Sequence, residues 1–289
     1  MEIGIVGLGL IGGSLGLDLR SQGHRVVGLT QRRSTCQSAI ARGAVDAASD
    51  NAAILKTCEV VFVCTPLSKI IITVEKVAPF LSKTAILTDV GSVKASIVEA
   101  MMTLKTVANP FVGGHPMSGT AESGIEAAMS GLFVGNPYVL TPTADTPREA
   151  VETVASLAKS VGSILYECTP EAHDQAVSLI SHLPVMVSAS LIQACTREED
   201  IEVRTLAQQL ASSGFRDTSR VGGGNPELGR LMAEFNSPAL LVALQRYRST
   251  LDEMITTIET SQWDALQTSL TQTQRDRPGY LRESTGPGD

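Results

Sequence analysis

No stretch of the 289 residues reaches 18 consecutive apolar positions, so the sequence predicts no bilayer-spanning helix. The N-terminus, MEIGIVGLGLIGGSL, also lacks the basic segment that precedes the apolar core of a secretory signal; Glu2 leads directly into a glycine-rich turn. Both absences predict a cytoplasmic protein without a membrane partner. The five cysteines (Cys36, Cys58, Cys64, Cys168 and Cys195) form no CxxC pair and have no histidine at metal-ligand spacing. Free, buried thiols in a reducing compartment are expected, and no metal. Positive charge is not in excess either: 23 Lys and Arg stand against 30 Asp and Glu, a net charge of −7. The negative surplus lies wholly after residue 145, where 12 basic residues face 19 acidic ones. A nucleic-acid partner needs a basic face, and none is expected here. There is no internal repeat.

What is present begins with alternation. Apolar runs at Ile3–Gly7, Arg25–Thr30, Val60–Thr65, Ala85–Val90, Phe111–Gly114 and Tyr138–Thr141 are separated by longer helical patterns. Short Val- and Ile-rich runs closing on Gly, Pro, Thr or Asp read as buried parallel strands with crossover helices, the doubly wound α/β class. After about Pro170 helical spacing takes over, at 171–194, 200–213, 225–232 and 238–269, with Ser237 as N-cap and Pro238 at the first helical position of the last. The expected domains are a dinucleotide-binding domain over 1–168 and an all-helical domain over 169–280. A disordered tail is expected over 281–289.

Gly7-Leu8-Gly9-Leu10-Ile11-Gly12 follows a strand pattern and opens a helical one, the setting that gives GxGxxG its meaning. Gly7 permits the tight turn, Gly9 lets backbone approach a pyrophosphate, and Gly12 lets helix and strand pack closely. The helix start at Leu10 and Ile11 offers N–H groups to phosphate. This is the mark of a Rossmann-like domain. The second strand ends in Thr30, followed by Gln31, Arg32 and Arg33. It has no carboxylate to hold a ribose 2′-hydroxyl, whereas Thr30 and a guanidinium suit a 2′-phosphate. NADP is therefore expected rather than NAD, with either arginine able to serve. Thr65, Pro66 and Gly91, at later strand ends, are further expected cofactor contacts.

Three segments could carry chemistry. His115 lies in Val112–Thr120 among glycines at a strand end, where an imidazole can meet both nicotinamide and substrate and exchange a proton near neutral pH. Ser92, in Thr88–Lys94, could hydrogen-bond that imidazole or a substrate hydroxyl, or cap a helix. Ser212–Arg220 sets Arg216 and Arg220 in an otherwise acidic half, where either could grip a carboxylate or pair with Asp217.

In this order the motifs resemble those of the prephenate/arogenate dehydrogenase family: GLGLIGGSL, Thr88–Lys94, Gly113–Thr120, Ser181-His182-Leu183-Pro184 and Gly214–Arg220. The likeness extends from residue 1 to about 280, and Gly214–Gly229 most resembles the cyanobacterial arogenate dehydrogenases. It implies His115 as the histidine that draws the ring-hydroxyl proton and Ser92 as the serine that orients it and contacts substrate. It implies Arg220 as the carboxylate anchor, with Arg216 second, and Thr120 and Ser181 as pocket residues. It also implies a homodimer through the helical domain. Many prephenate-using members read Ser-His-Leu-Pro-His; here the last position is Val185. That departure favours arogenate, converted to tyrosine, over prephenate, converted to 4-hydroxyphenylpyruvate. No regulatory domain is expected after residue 280. Two other readings remain at this point. A β-hydroxyacid dehydrogenase would need a catalytic lysine, absent from His173–Gln193. An NADP-sensing regulatory protein would not need His115, Ser92 and Arg220 together.

Overall fold

A computed structural model of the chain describes residues 1–120 and 122–281. Eight strands form one sheet: β1 (Glu2–Val6), β2 (Arg25–Leu29), β3 (Ala47–Ser49), β4 (Val60–Val63), β5 (Ile86–Asp89), β6 (Phe111–Pro116), β7 (Pro137–Thr141) and β8 (Ile164–Glu167), in the order β3-β2-β1-β4-β5-β6-β7-β8. Strands β1 to β6 run parallel, and β7 turns antiparallel to β6 with β8 alongside it. The crossovers include α1 (Leu10–Ser21), α2 (Arg33–Ala41), α3 (Ile70–Val77), α4 (Ala95–Thr103) and α5 (Arg148–Ser160).

Period-two alternation sorts the strand side chains into two cores. Ile3, Ile5, Val60 and Phe62 pack with Leu15, Leu19 and Phe133. Val6, Val61 and Val63 pack with Ile70, Val74 and Ile97. Helices therefore cover both faces of the sheet, which is why β4 is buried throughout.

Two strands escaped the sequence pattern. β3 is only Ala-Ala-Ser and β8 is largely exposed, so neither shows an apolar run. The 138–141 run is a strand but not a parallel one. β6 continues two residues past Gly114, which puts His115 inside the strand.

The helical part of the first compact unit, Met1–Ser237, holds α6 (Pro170–Val177), a π turn (Ser178–His182), α7 (Leu183–Thr196), α8 (Ile201–Leu210), α9 (Ser213–Ser219) and α10 (Pro226–Phe235). By length and composition the run Pro170–Thr196 would suffice to cross a membrane, contrary to the sequence expectation. Beside Pro170 and Val177, its buried positions carry His173, Asp174, Ser178, His182 and Ser188. Such groups are costly in hydrocarbon but are well served by a packed protein interior.

The second unit begins at Pro238. In it α11 (Ser237–Glu259) and α12 (Trp263–Asp276) replace the single helix expected to 269. The break falls at Ser261, whose φ of 55° is left-handed; Gln262 N–H there bonds Thr257 O at 2.9 Å. Leu241, Tyr247, Leu251, Ile255 and Ile258 of α11 are exposed. All five cysteines are free, but only Cys36 and Cys58 are buried, and Cys195 is exposed. Of the tail expected to be disordered, Leu281 is an exposed bend, and 282–289 lie outside the described residues.

Candidate active site

Because β1, β2, β4, β5 and β6 are parallel, their carboxyl ends share one edge of the sheet. From β1 the chain winds outward to β2 and β3, then returns to the other flank of β1 as β4. The reversal opens a crevice between the loops after β1 and β4, the place where doubly wound sheets bind ligands. Gly7 adopts a φ of +97°, and a Cβ there would lie 2.7 Å from Cys64 O of the neighbouring loop. A Cβ on Gly9, in contrast, would meet nothing within 4 Å. Gly9 is the N-cap of α1 and supplies no side-chain cap. The first-turn N–H groups of Leu10, Ile11 and Gly12 are thus left for an outside acceptor, as an anion site requires. This cradle fits a dinucleotide phosphate. Thr65 and Pro66 follow β4, with the Thr65 hydroxyl 3.5 Å from that of Thr73, and Gly91 follows β5.

At the end of β2, Thr30 N–H bonds Ser49 O at 3.1 Å. Gln31, Arg32 and Arg33 are exposed. The two arginines differ: Arg33 Nε lies 3.5 Å from Asp50 Oδ2, while Arg32, the N-cap of α2, has no ion pair among the described residues.

The chemistry-bearing centre is assembled from β5, β6, α4 and α6. Lys94 and Asp89, both fully buried, form an ion pair. Lys94 Nζ also donates to Gly114 O at 2.8 Å, and Asp89 accepts from Gly91 N–H at 2.8 Å and Gly114 N–H at 3.2 Å. This pair stitches the end of β5 to the residue before His115. Both residues read as packing residues, and Lys94 also takes the N-cap position of α4. His115 is 9% exposed. Its Nδ1 lies 2.8 Å from His173 Nε2, and His173 Nδ1 lies 2.7 Å from Asp174 Oδ1. Asp174 also accepts Lys94 N–H at 2.7 Å and Ala95 N–H at 2.9 Å, on its two separate oxygens. His115 Nε2 makes no hydrogen bond among the described residues and is not among the occluded polar atoms. Burial pushes the His115 pKa well below its ordinary value, and His173, Lys94 and His182 add to that.

His182 joins the same cluster. An unbroken α-helix at 3.6 residues per turn would put His173 and His182 roughly 180° apart. The intervening π turn (Ser178–His182), a feature frequent at functional sites, breaks that spacing, and Asn236 bridges His182 to the backbone of Asp174. Asn236 Nδ2 lies 2.8 Å from Asp174 O and 3.1 Å from His182 Nδ1. His182 Nε2 is buried without a partner, and its pKa falls to about 4, through burial first and His173 second, against the pull of Asp174.

The other expected site residues are placed as follows. Ser92 is half-buried and makes no hydrogen bond among the described residues; it does not cap α4, and it is His173 that holds His115. Ser181 is half-buried in the π turn beside His182. Thr120 is exposed, its hydroxyl turned back to Glu122 N–H at 3.2 Å. Arg216 is exposed with Nε 3.0 Å from Asp217. Arg220, just past α9, is exposed and unpaired among the described residues; Gly222 N–H, 2.8 Å from Ser188 Oγ, ties its segment to α7. Among the described residues no hydrogen bond or ion pair joins either arginine to the histidine cluster. The sequence reading missed His173, Asp174, His182 and Asn236. Three of them had a signal: titratable residues inside an apolar helical run are rarely there by chance.

Two family models match consecutive parts of this chain. "Prephenate dehydrogenase, nucleotide-binding domain" covers residues 15–167, and "Prephenate dehydrogenase, dimerization domain" covers 169–272. Arogenate dehydrogenase of Synechocystis is 53% identical and superposes with a TM-score of 0.88 over 97% of this chain and 100% of that one. Prephenate dehydrogenase of A. aeolicus, solved with hydroxyphenyl propionate and NAD+, is 26% identical with a TM-score of 0.90 over 97% and 98%. Prephenate dehydrogenase of Bacillus subtilis is 32% identical over 88% of this chain and 69% of its own length. With both halves matched and the strand-end cradle intact, the chain belongs to the prephenate/arogenate dehydrogenase family, oxidoreductases of tyrosine biosynthesis.

Proposed function

We propose that this enzyme oxidatively decarboxylates arogenate to tyrosine with NADP, in the cytoplasm, as a homodimer. The observation that carries the reading is His115: an imidazole kept uncharged by its surroundings, one nitrogen anchored and the other unengaged, at the sheet edge that also holds the phosphate cradle. A nicotinamide bound there supplies the hydride acceptor. As hydride leaves the ring carbon bearing the hydroxyl, that hydroxyl turns carbonyl-like and its proton passes to His115. The ring carboxylate departs as CO₂, the electron pair it leaves aromatises the ring onto the oxygen, and the resulting phenolate takes the proton back from His115. General-base help of this kind is worth roughly 10²–10⁴ in rate. Ser92, with its hydroxyl unengaged, is in reach of the same edge and contacts substrate. Arg220 binds the side-chain carboxylate, since the ring carboxylate must remain able to leave; Arg216, Thr120 and Ser181 line the approach.

Arogenate ahead of prephenate rests on Val185, an apolar residue where many prephenate-using members of the family carry histidine, and on the 53% identity to a relative named for arogenate. NADP rests on Thr30 to Arg33, and Arg32 is the better candidate for the 2′-phosphate because Asp50 already engages Arg33. Residues 1–168 serve as the nucleotide domain and 169–280 as the substrate and dimer domain. The exposed apolar residues of α11 are what a dimer interface would cover.

The test is a four-way assay, arogenate or prephenate with NADP⁺ or NAD⁺, following reduced nicotinamide. The highest kcat/KM is expected for arogenate with NADP⁺. A preference for prephenate would reassign the substrate, and a preference for NAD⁺ the cofactor. Binding without turnover of either substrate would leave a nucleotide sensor.

A further inference from the structure

The geometry points to His173 and Asp174 as positioning residues that hold His115 with its proton on Nδ1 and its Nε2 bare. This rests on His115 being the base, as proposed above. The polarity of the relay follows from its fixed end. Asp174 receives two backbone N–H groups at the start of α4, one on each oxygen, so both of its oxygens act as acceptors. Oδ1 then accepts from His173 Nδ1 at 2.7 Å. A neutral imidazole has one donor and one acceptor, so His173 Nε2 must accept. Its partner at 2.8 Å is His115 Nδ1, which therefore donates. The lone pair of His115 is left on Nε2, the nitrogen with no hydrogen bond among the described residues.

The reverse polarity would set a bare nitrogen of His173 against the Asp174 carboxylate. A doubly protonated His173 would place a second cation in a buried cluster that already holds the Lys94 ammonium. The groups facing the relay are Lys94 and Asp89 from the β5 end, Asp174 itself, and His182 from the π turn. Asp89 compensates Lys94, which leaves Asp174 to compensate the relay. When the substrate O–H breaks and the proton joins Nε2, His115 becomes an imidazolium. Its Nδ1–H still donates to His173, and Asp174 offsets the new charge through it. No other bond within the relay changes. Preorganised compensation of charge that appears only in the transition state is the form in which such groups accelerate a reaction.

The test uses the full chain with His173→Leu, which can neither accept nor donate, and His173→Gln, whose amide can do both. Ring ¹⁵N NMR, with the His115 signals identified by their loss in His115→Asn, reads the tautomer directly. The wild type should show Nδ1–H and a bare Nε2. His173→Leu should lose that form and reduce kcat by ~10²–10⁴-fold, the cost of a base protonated on the wrong nitrogen. KM should stay within about threefold, and the acid limb of the kcat profile should move, which loss of packing alone would not produce. His173→Gln should restore most of the rate. A wild-type His115 protonated on Nε2, or His173→Leu with unchanged kcat and pH profile, would overturn the proposal. If His173→Leu does not fold, the wild-type tautomer and the rate of His173→Gln decide. Should the wild type turn over neither cyclohexadienyl substrate, the functional reading fails, while the NMR still accepts or rejects the relay.

Discussion

His115 is held from within by His173, Asp174 and the Lys94–Asp89 pair behind Gly114. Arg220 projects past the end of α9 with no ion pair among the described residues, and Arg32 stands in the same condition at the start of α2. The proton-handling group is preassembled, whereas the anion-gripping groups are presented open. Physical cost explains the split. A general base must keep one protonation state in a dry setting, which only fixed neighbours can enforce. A guanidinium is charged whatever surrounds it and loses nothing by waiting in water for its carboxylate or phosphate.

The sharpest way to break that contrast is at the preassembled end. His115→Asn should lower kcat by ~10²–10⁴-fold with KM nearly unchanged, because the side chain acts on the transition state rather than on binding. Steady-state kinetics decide it, and near-wild-type kcat would remove His115 from the chemistry. At the open end the signature should invert. Arg220→Ala should raise KM for substrate by ~10–100-fold, the worth of a charge-assisted bond of about 1.5–3 kcal/mol. Arg220→Lys should recover only part, since the paired geometry is lost, and both variants should keep the wild-type Tm. A stability loss in Arg220→Ala would mean that the arginine is structural. Arg32→Ala, a smaller change, should raise KM for NADP⁺ about tenfold while leaving NAD⁺ unaffected. Arg33→Ala should do less, and equal losses with both cofactors would assign neither arginine to the 2′-phosphate.

The same contrast explains what could be read from the sequence. The cradle was legible because Gly7, Gly9 and Gly12 report backbone demands at fixed local spacing. The buried strands were legible because period-two apolar runs survive in one dimension. β3 was not, since Ala47–Ser49 has no apolar signature and exists only because β2 offers an edge. The turnover of direction at β7 was not, because a strand reads the same either way. The relay was invisible for a deeper reason. His115 and His173 are 58 residues apart and Lys94 and Asp174 are 80, and nothing local in either segment names its partner. The resemblance supplied Ser92 as the holder of His115, whereas the structure places His173 there.

The smallest expected effect concerns acid stability, and it tests whether the histidine cluster is as constrained as its contacts imply. Both His115 and His182 are depressed below the ordinary histidine value, each by burial first, and His182 to about 4. The unfolded chain regains an ordinary histidine near 6.5. Between about pH 4 and 6.5 it therefore binds more protons than the folded chain, so stability rises with pH across that window. The contribution is complete above about pH 6.5 and is lost as pH falls toward 4. Thermal melts should show Tm dropping by ~5 °C or more from pH 7 to pH 5, at ~2–4 °C per kcal/mol for a chain of this size class. His182→Gln and His115→Asn should each flatten that slope by removing a group that resists protonation, whereas Arg220→Ala should leave it unchanged. The same depression keeps His115 uncharged, so the acid limb of kcat should lie below pH 6.5. A Tm independent of pH over this range would mean that the imidazoles reach water, and the contrast between a closed base and open arginines would be lost.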